Sequence, residues 1–309
     1  MKRVYDVPSV PRLKRDAHKG DRGRVLIVAG SLNMSGAARL TGWGALRGGA
    51  GLVTIATPDA AQPVVAGDLP CALTLPLPSS KGVLVRRAAA PAREAAESAD
   101  AVAIGPGLTT RVGPFLRAFL KGLDKPIVID ADALNVLAQE PDLLHKLEAC
   151  RVLTPHPGEA SRLLGKQLAG GPEVRREAAR QLADTHDAVI VLKGAGTVVC
   201  DGERVYVNKT GNPGMATGGS GDVLTGLIAA RLAAGAEAWA AAVQGVYVHG
   251  CAGDLAAAAV GEAGMIATDI VGSLPTALAD LGERGRQRAR GRRKSDRATG
   301  SRRSGRSGR

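Results

Sequence analysis

Aromatic residues make up only 2% of this 309-residue chain. The core must therefore be filled by Ala, Val, Leu and Ile, and binding of single-stranded nucleic acid by base stacking lacks its material. Cysteine is scarce too. Cys71, Cys150, Cys200 and Cys251 stand far apart, with no CxxC pair and no His at metal-ligand spacing. That argues against a disulfide framework or a zinc site and fits a reducing cytosol, so a cytoplasmic protein is expected. Long apolar runs are missing as well. The first, Val25 to Ala29, is too short for a signal sequence, and the Ala-rich stretch from Leu232 to Val243 is interrupted by Glu237, so no membrane span is expected.

Apolar residues reach 45% and charged residues 23%, the proportions of a soluble globular protein. The net charge of +12 is concentrated at one end: the stretch from Glu283 to Arg309 holds 12 Lys or Arg and 2 acidic residues, and the rest of the chain is close to balanced. The basicity belongs to a tail with no large apolar residue to anchor it, and residues 282–309 are expected to be disordered. A solvated extension accounts for it; non-specific contact with a polyanion is the alternative, and nucleic acid is not the expected partner.

Short β-branched runs alternate with helical patterns. RVLIVAG from Arg24, GLVTIAT from Gly51, DAVAIG from Asp100, PIVID from Pro126 and AVIVLKG from Ala188 read as buried strands. Helical stretches run from Gly36 to Gly49, Arg111 to Lys121 and Pro172 to Thr185, then from Gly221 to Ala234, Glu237 to Ala256 and Thr268 to Leu281. The segment Thr197 to Val207 reads as a hairpin turning at Asp201-Gly202. The alternation predicts a three-layer α/β/α domain over 20–281 with a mostly parallel central sheet, an extension over 1–19 before it, and no internal repeat.

The strongest chemical signal is GNPGMATGGSGDVLTG, from Gly211 to Gly226. A Gly-rich loop feeding a helix offers unpaired N–H groups and the positive end of the helix dipole, which suits a phosphate. No GKS or GKT follows, so it is not a Walker loop. Asp222 has two readings: a helix N-cap, or a base acting on a hydroxyl beside the phosphate. The KGAGT turn after a strand reads as a hairpin or as a ligand site at the strand's carboxyl end. His156, between two prolines, reads as a rigid turn residue. Asp130, Asp132 and Asn135 end a strand and begin a helix. Capping explains at least one of them, and Asp130 could face a site.

At this point a resemblance becomes specific. The Gly211–Gly226 segment is similar to the signature of the NAD(P)H-hydrate dehydratases, a branch of the ribokinase-like superfamily. GRVLIVAGSLNMSGAARLTGWGALRGGAGLVTIAT, AIGPGL, VIDADALNVL, LTPHPGEASRLLG and VLKGAGTVV match the same family in the same order. The resemblance implies a ribokinase-like fold and dehydration of the S epimer of NADHX or NADPHX, driven by ADP, with AMP and phosphate released. It makes Asp222 the catalytic base and places Ala37, Gly107, His156 and Asp222 against the hydrated dinucleotide. It assigns Lys193, Gly194, Ala195, Gly196, Thr197 and Gly221 to the adenine nucleotide, and Gly218, Gly219, Ser220 and Gly221 to an anion hole. Magnesium is implied as a cofactor with ADP as co-substrate, with Glu159 near the metal, directly or through water.

The family further implies a homotetramer and a separate epimerase in the same pathway. With the first strand expected near Arg24, the chain has no room for an epimerase domain. Two rival readings remain open: an ATP-dependent vitamin-precursor kinase of the same superfamily, which would usually carry Asn in place of His156, and a polyanion-binding protein built around the tail.

Overall fold

The structure is a computed structural model. It describes residues 1–284 except 146, 148 and 169; the basic tail from residue 285 onward lies outside the described residues. Ten strands form the main sheet: β1 (Lys2–Val4), β2 (Arg24–Val28), β3 (Leu52–Pro58), β4 (Leu73–Leu77), β7 (Ala101–Ile104), β8 (Ile127–Ile129), β9 (Arg151–Leu153), β10 (Val189–Leu192), β11 (Val198–Cys200) and β12 (Arg204–Val207). A small hairpin, β5 (Ser79–Ser80) with β6 (Val83–Leu84), stands apart from it. The order across the sheet is β1-β12-β11-β10-β9-β8-β7-β2-β3-β4. The run from β4 to β10 is parallel, and β11 pairs antiparallel with both of its neighbours.

The central strands are apolar throughout because both faces of the sheet are covered. In β2 alternate residues part company: Leu26 and Val28 join one core, Val25 and Ile27 the other. The first core is closed by α3 (Ala89–Glu97), α4 (Gly113–Leu120), α5 (Ala131–Leu137) and α8 (Pro172–His186). The stacked pair Phe115 and Phe119, centroids 5.6 Å apart, supplies the chain's two phenylalanines to it. The second core is closed by α1 (Ser35–Arg47), α9 (Ser220–Ala233) and α10 (Ala238–Val260). A last helix over 267–284, α11, packs outside α9 and α10 through Ile270 and Leu274. Shorter helices, α2 (Gln62–Asp68), α6 (Asp142–His145) and α7 (Pro157–Leu164), complete the set.

The sheet does not begin at Arg24 as expected from the sequence. Lys2–Val4 adds a parallel edge strand beside β12, and three residues offer too little periodicity to be read beforehand. The expected hairpin is present as β11 and β12, with Val199 opposite Tyr206.

With so few aromatics, tight packing is achieved by bringing backbones together. A Cβ on Gly226 of α9 would stand 1.9 Å from the Thr41 carbonyl oxygen of α1, and one on Gly44 would stand 2.2 Å from that of Val223. Neither atom can yield without separating the helices. We therefore expect Gly226→Ala to lower stability by about 3 kcal/mol, the upper end of overpacking costs. The check is a lower urea midpoint with an unchanged m-value.

Candidate functional site

Five neighbouring parallel strands, β2, β7, β8, β9 and β10, deliver the loops of one sheet edge. The chain runs outward from β2 to β3 on one side and from β7 to β10 on the other, so the β2/β7 boundary is the switch point where α/β sheets open a crevice. Ala37 follows β2 and Gly107 follows β7. They touch there: a Cβ on Gly107 would lie 2.8 Å from that of Ala37. Gly107 (φ +66°) and Gly105 (φ +126°) both need glycine's conformational freedom, and a Cβ on Gly105 would strike the Asp130 carbonyl oxygen at 1.8 Å.

Asp130 closes β8 and is 1% exposed. Its Oδ1 lies 2.6 Å from Lys193 Nζ, and its Oδ2 accepts a 2.7 Å hydrogen bond from Thr225 Oγ1 on α9. Lys193, just past β10, also lies 3.9 Å from Glu159 Oε2. Burial alone would pull the lysine amine down, but Asp130 and Glu159 outweigh it and hold its pKa above the ordinary value, so the ammonium persists.

His156 follows β9 and caps α7 reciprocally. Its Nδ1 accepts from the N–H groups of Gly158 (3.0 Å) and Glu159 (3.3 Å), while its own N–H donates to Glu159 Oε2 at 2.8 Å. Burial, then Lys193 and Arg162, hold the imidazole below its usual pKa. A neutral ring with an accepting Nδ1 carries its proton on Nε2, which lies 3.3 Å from Glu159 Oε1. Burial pushes the Glu159 carboxyl up, partly offset by Lys193.

The Gly-rich loop descends onto this group. Gly219, in the left-handed region at φ +87°, turns the chain into α9, and a Cβ there would meet Leu40 Cδ1 at 2.2 Å. Gly218 has open space around it. Gly221 lies against the buried pair, its absent Cβ 3.3 Å from Lys193 Nζ and 4.0 Å from Asp130 Oδ2. Next to it stands Asp222, partly buried and without a hydrogen-bond donor among the described residues. Its pKa is raised to about 7, first by burial and then by Asp130, Asp132 and Glu159, with Lys193 opposing. The loop is steadied by α10. Asp254 accepts from the N–H of Gly211 (2.9 Å) and from Asn212 Nδ2 (3.2 Å), and His249 Nε2 lies 3.5 Å from Ser220 Oγ. Burial lowers the His249 pKa to about 4, so it acts there as a neutral ring.

The KGAGT turn joins β10 to β11 with Gly194 at φ +128° and Gly196 at φ +64°. Thr197 Oγ1 donates to the Gly194 carbonyl at 2.9 Å. Arg175 of α8 gathers the carbonyls beneath it, bonding those of Leu192 (3.2 Å), Lys193 (3.0 Å) and Ala195. Gly194, Ala195 and Gly196 remain exposed, as a surface for a planar or phosphorylated ligand requires.

The arrangement brings together a helix N-terminus with no side-chain cap, a buried ammonium and a carboxylate with no hydrogen-bond donor among the described residues. A model of the NAD(P)H-hydrate dehydratase family matches residues 25–276 of the chain. The chain belongs to that family. It is 45% identical over 279 residues to the bifunctional NAD(P)H-hydrate repair enzyme of Moorella thermoacetica, covering 89% of this chain and 52% of that one. The chain thus spans about half the length of the bifunctional relatives. It is 36% identical over 262 residues to the ADP-dependent (S)-NAD(P)H-hydrate dehydratase of Neisseria meningitidis, covering 82% and 84%. The ADP/ATP-dependent NAD(P)H-hydrate dehydratase of Bacillus subtilis, co-crystallized with ATP and Mg2+, superposes with a TM-score of 0.74 at 31% identity, covering 88% and 95%.

Within this dehydratase fold, the residues nominated from the sequence lie at the carboxyl edge of the sheet, on its loops or in the helices that follow them: Ala37 in α1, Asp132 and Asn135 in α5, Glu159 in α7, and Gly221 and Asp222 in α9. Two sequence readings need correction. Asp222 is not the N-cap of α9; Gly219 holds that place and no side chain caps the helix. Nor does capping explain the VIDADALN polar residues. Asp130 makes no side-chain cap to α5, Asp132 accepts the Thr109 N–H at 2.8 Å, and Asn135 accepts from Arg162 at 2.7 Å. Thr225, Arg175, His249 and Asp254 escaped notice. Thr225 shares a helix face with Asp222 three residues earlier, a spacing the sequence does display.

Among the described residues no group of three His, Cys, Asp or Glu side chains could hold a metal. Both Glu159 oxygens are engaged with His156, and Asp130 is committed to Lys193 and Thr225. The donor set does not fit a protein-held magnesium, and the ion could enter only with most of its ligands supplied by phosphate oxygens. No helix among the described residues is long and apolar enough to cross a membrane.

Proposed function

We propose that this protein dehydrates the S epimer of NADHX or NADPHX, consuming ADP and releasing AMP and inorganic phosphate. One observation carries the reading: an unpaired carboxylate, Asp222, raised to about 7 and set at the mouth of a Gly-rich helix N-terminus. A carboxylate there repels phosphate unless a hydroxyl stands between them to give up its proton.

The substrate bears that hydroxyl at C6 of the nicotinamide ring. Asp222 takes its proton as the oxygen attacks the β-phosphorus of ADP, and AMP departs with the bridging oxygen. The first-turn N–H groups over Gly218–Gly221 accept the charge that develops on the transferring group. Lys193, fixed by Asp130 behind Gly221, adds a positive field without moving. The C6–O bond then breaks with the ring nitrogen lone pair pushing, phosphate leaves, and loss of the C5 proton restores the dihydronicotinamide.

The paired small residues Ala37 and Gly107 give backbone-close access to the dinucleotide. His156 presents a neutral ring edge to it, and the exposed KGAGT turn takes the adenine nucleotide. An epimerase acting on the same hydrates would feed this step. Magnesium would arrive with the nucleotide.

The test is to incubate the protein with chemically hydrated NADH, magnesium and either ADP or ATP, following the return of dihydronicotinamide absorbance. Recovery with ADP, matched by AMP release, is expected. A phosphorylated product that persists, formed from ATP, would place the chain with the small-molecule kinases instead.

A further inference from the structure

At the opposite end of α1 and α9 from the catalytic cleft lies a cavity of about 900 Å³ between the N-terminal arm, the last turns of both helices and α11. Its polar lining is dominated by cations: Arg12, Lys14, Arg22, Arg47 and Arg231. Among the described residues none of the five forms an ion pair. Among the described residues of the lining the single acidic side chain, Asp21, is turned to His18, whose N–H it accepts at 3.0 Å.

Two of the cations are placed with care. Arg231 is 5% exposed, and its Nε donates to the neutral Gln244 Oε1 at 3.1 Å. Gln244 in turn donates to the carbonyls of Pro8 and Ser9, fixing the arm. Arg22 donates from Nε to the Gly49 carbonyl at 3.1 Å. The Cβ position of Gly49 is 3.9 Å from Arg22 Nη2 and 3.9 Å from Arg231 Nη1, so both guanidiniums converge on one point. Two like charges, one of them nearly removed from water, are costly without a counter-charge. The C-terminal dipole of α9 offsets only a fraction of one. The remaining wall is apolar, with Val10, Leu13, Leu46 and Leu278 around the guanidiniums.

We propose that this cavity is a second ligand site, taking a small molecule that carries a phosphate or similar anion on an apolar or planar body. The anion sits between Arg22 and Arg231, where paired guanidiniums give bidentate bonds, and the body lies against the leucine-lined wall. The sequence beyond residue 284 does not complement this lining in charge: it is rich in Arg and Lys, with Asp296 its one acidic side chain.

Calorimetric titration of the full chain with phenyl phosphate tests this, with Arg22→Ala as the first variant and Arg12→Ala/Lys14→Ala, on the exposed arm, as the second. We expect saturable binding to the parent and a loss of about tenfold or more in Arg22→Ala, the scale of one charge-assisted bond. ADP affinity should be unchanged. Inorganic phosphate should bind several-fold more weakly than phenyl phosphate. The proposal is overturned if the parent shows no saturable binding, if both variants bind phenyl phosphate like the parent, or if ADP affinity falls in step, which would put the probe in the catalytic cleft. Equal affinity for the two probes would overturn the role given to the apolar wall.

Discussion

Asp222→Asn should lower kcat by roughly 10²- to 10⁴-fold, the range general-base catalysis contributes, while ADP binding stays near the parent value. The amide keeps the volume and removes the proton acceptor. Nothing structural depends on the carboxylate, because it neither caps α9 nor accepts a hydrogen bond among the described residues. The pH profile supplies an independent check. Burial and neighbouring carboxylates raise this group to about 7, and a base works only when deprotonated. Turnover in the parent should therefore climb as pH rises through about 7 and level off above it, and the residual activity of the variant should lose that limb. Parent-like turnover in Asp222→Asn would remove Asp222 from the reaction. Weaker ADP binding at unchanged kcat would make it a nucleotide contact instead.

That prediction rests on residues the sequence exposes well, and others show where legibility ends. The parallel order could be read because strands such as Val25–Val28 and Val189–Leu192 are apolar at every position, which only double coverage explains. Asp222 could be found because its loop is dense in glycine. Gly211 and Gly219 there take positive φ, a geometric need that reads locally. The partners of Asp130 could not be found this way. Lys193 stands 63 positions away from it and Thr225 95, and the three meet only because β8, β10 and α9 share one edge of the sheet. A lone Asp before a helix looks like a cap in sequence, and only tertiary placement shows that it faces inward. The edge strand at Lys2–Val4 was hidden for a different reason: its stability comes from β12, not from any pattern of its own.

Asp130→Ala should be the most damaging single substitution for stability, costing about 3–5 kcal/mol. It leaves the Lys193 ammonium in a site that burial alone would discharge, and it leaves the Thr225 hydroxyl without its acceptor. The sign with pH follows from the lysine. In the parent its folded pKa is raised, so its contribution to stability is full below the ordinary lysine range and fades as pH rises through the higher folded value. In Asp130→Ala the principal counter-charge is gone and burial favours the neutral amine, so raising the pH toward the lysine range should recover part of the loss. Chemical denaturation of parent and variant at neutral and alkaline pH reads this directly. The companion variant Asp130→Leu/Lys193→Met removes both charges and should regain most of the stability, because an apolar pair of similar volume replaces a pair whose desolvation already consumed much of its attraction. It should not regain turnover, since the positive field behind Gly221 is lost with the lysine. Stability restored without activity would separate what the buried pair does for the fold from what it does for the transferring phosphoryl group. Activity restored with stability would show that the ammonium serves the fold alone.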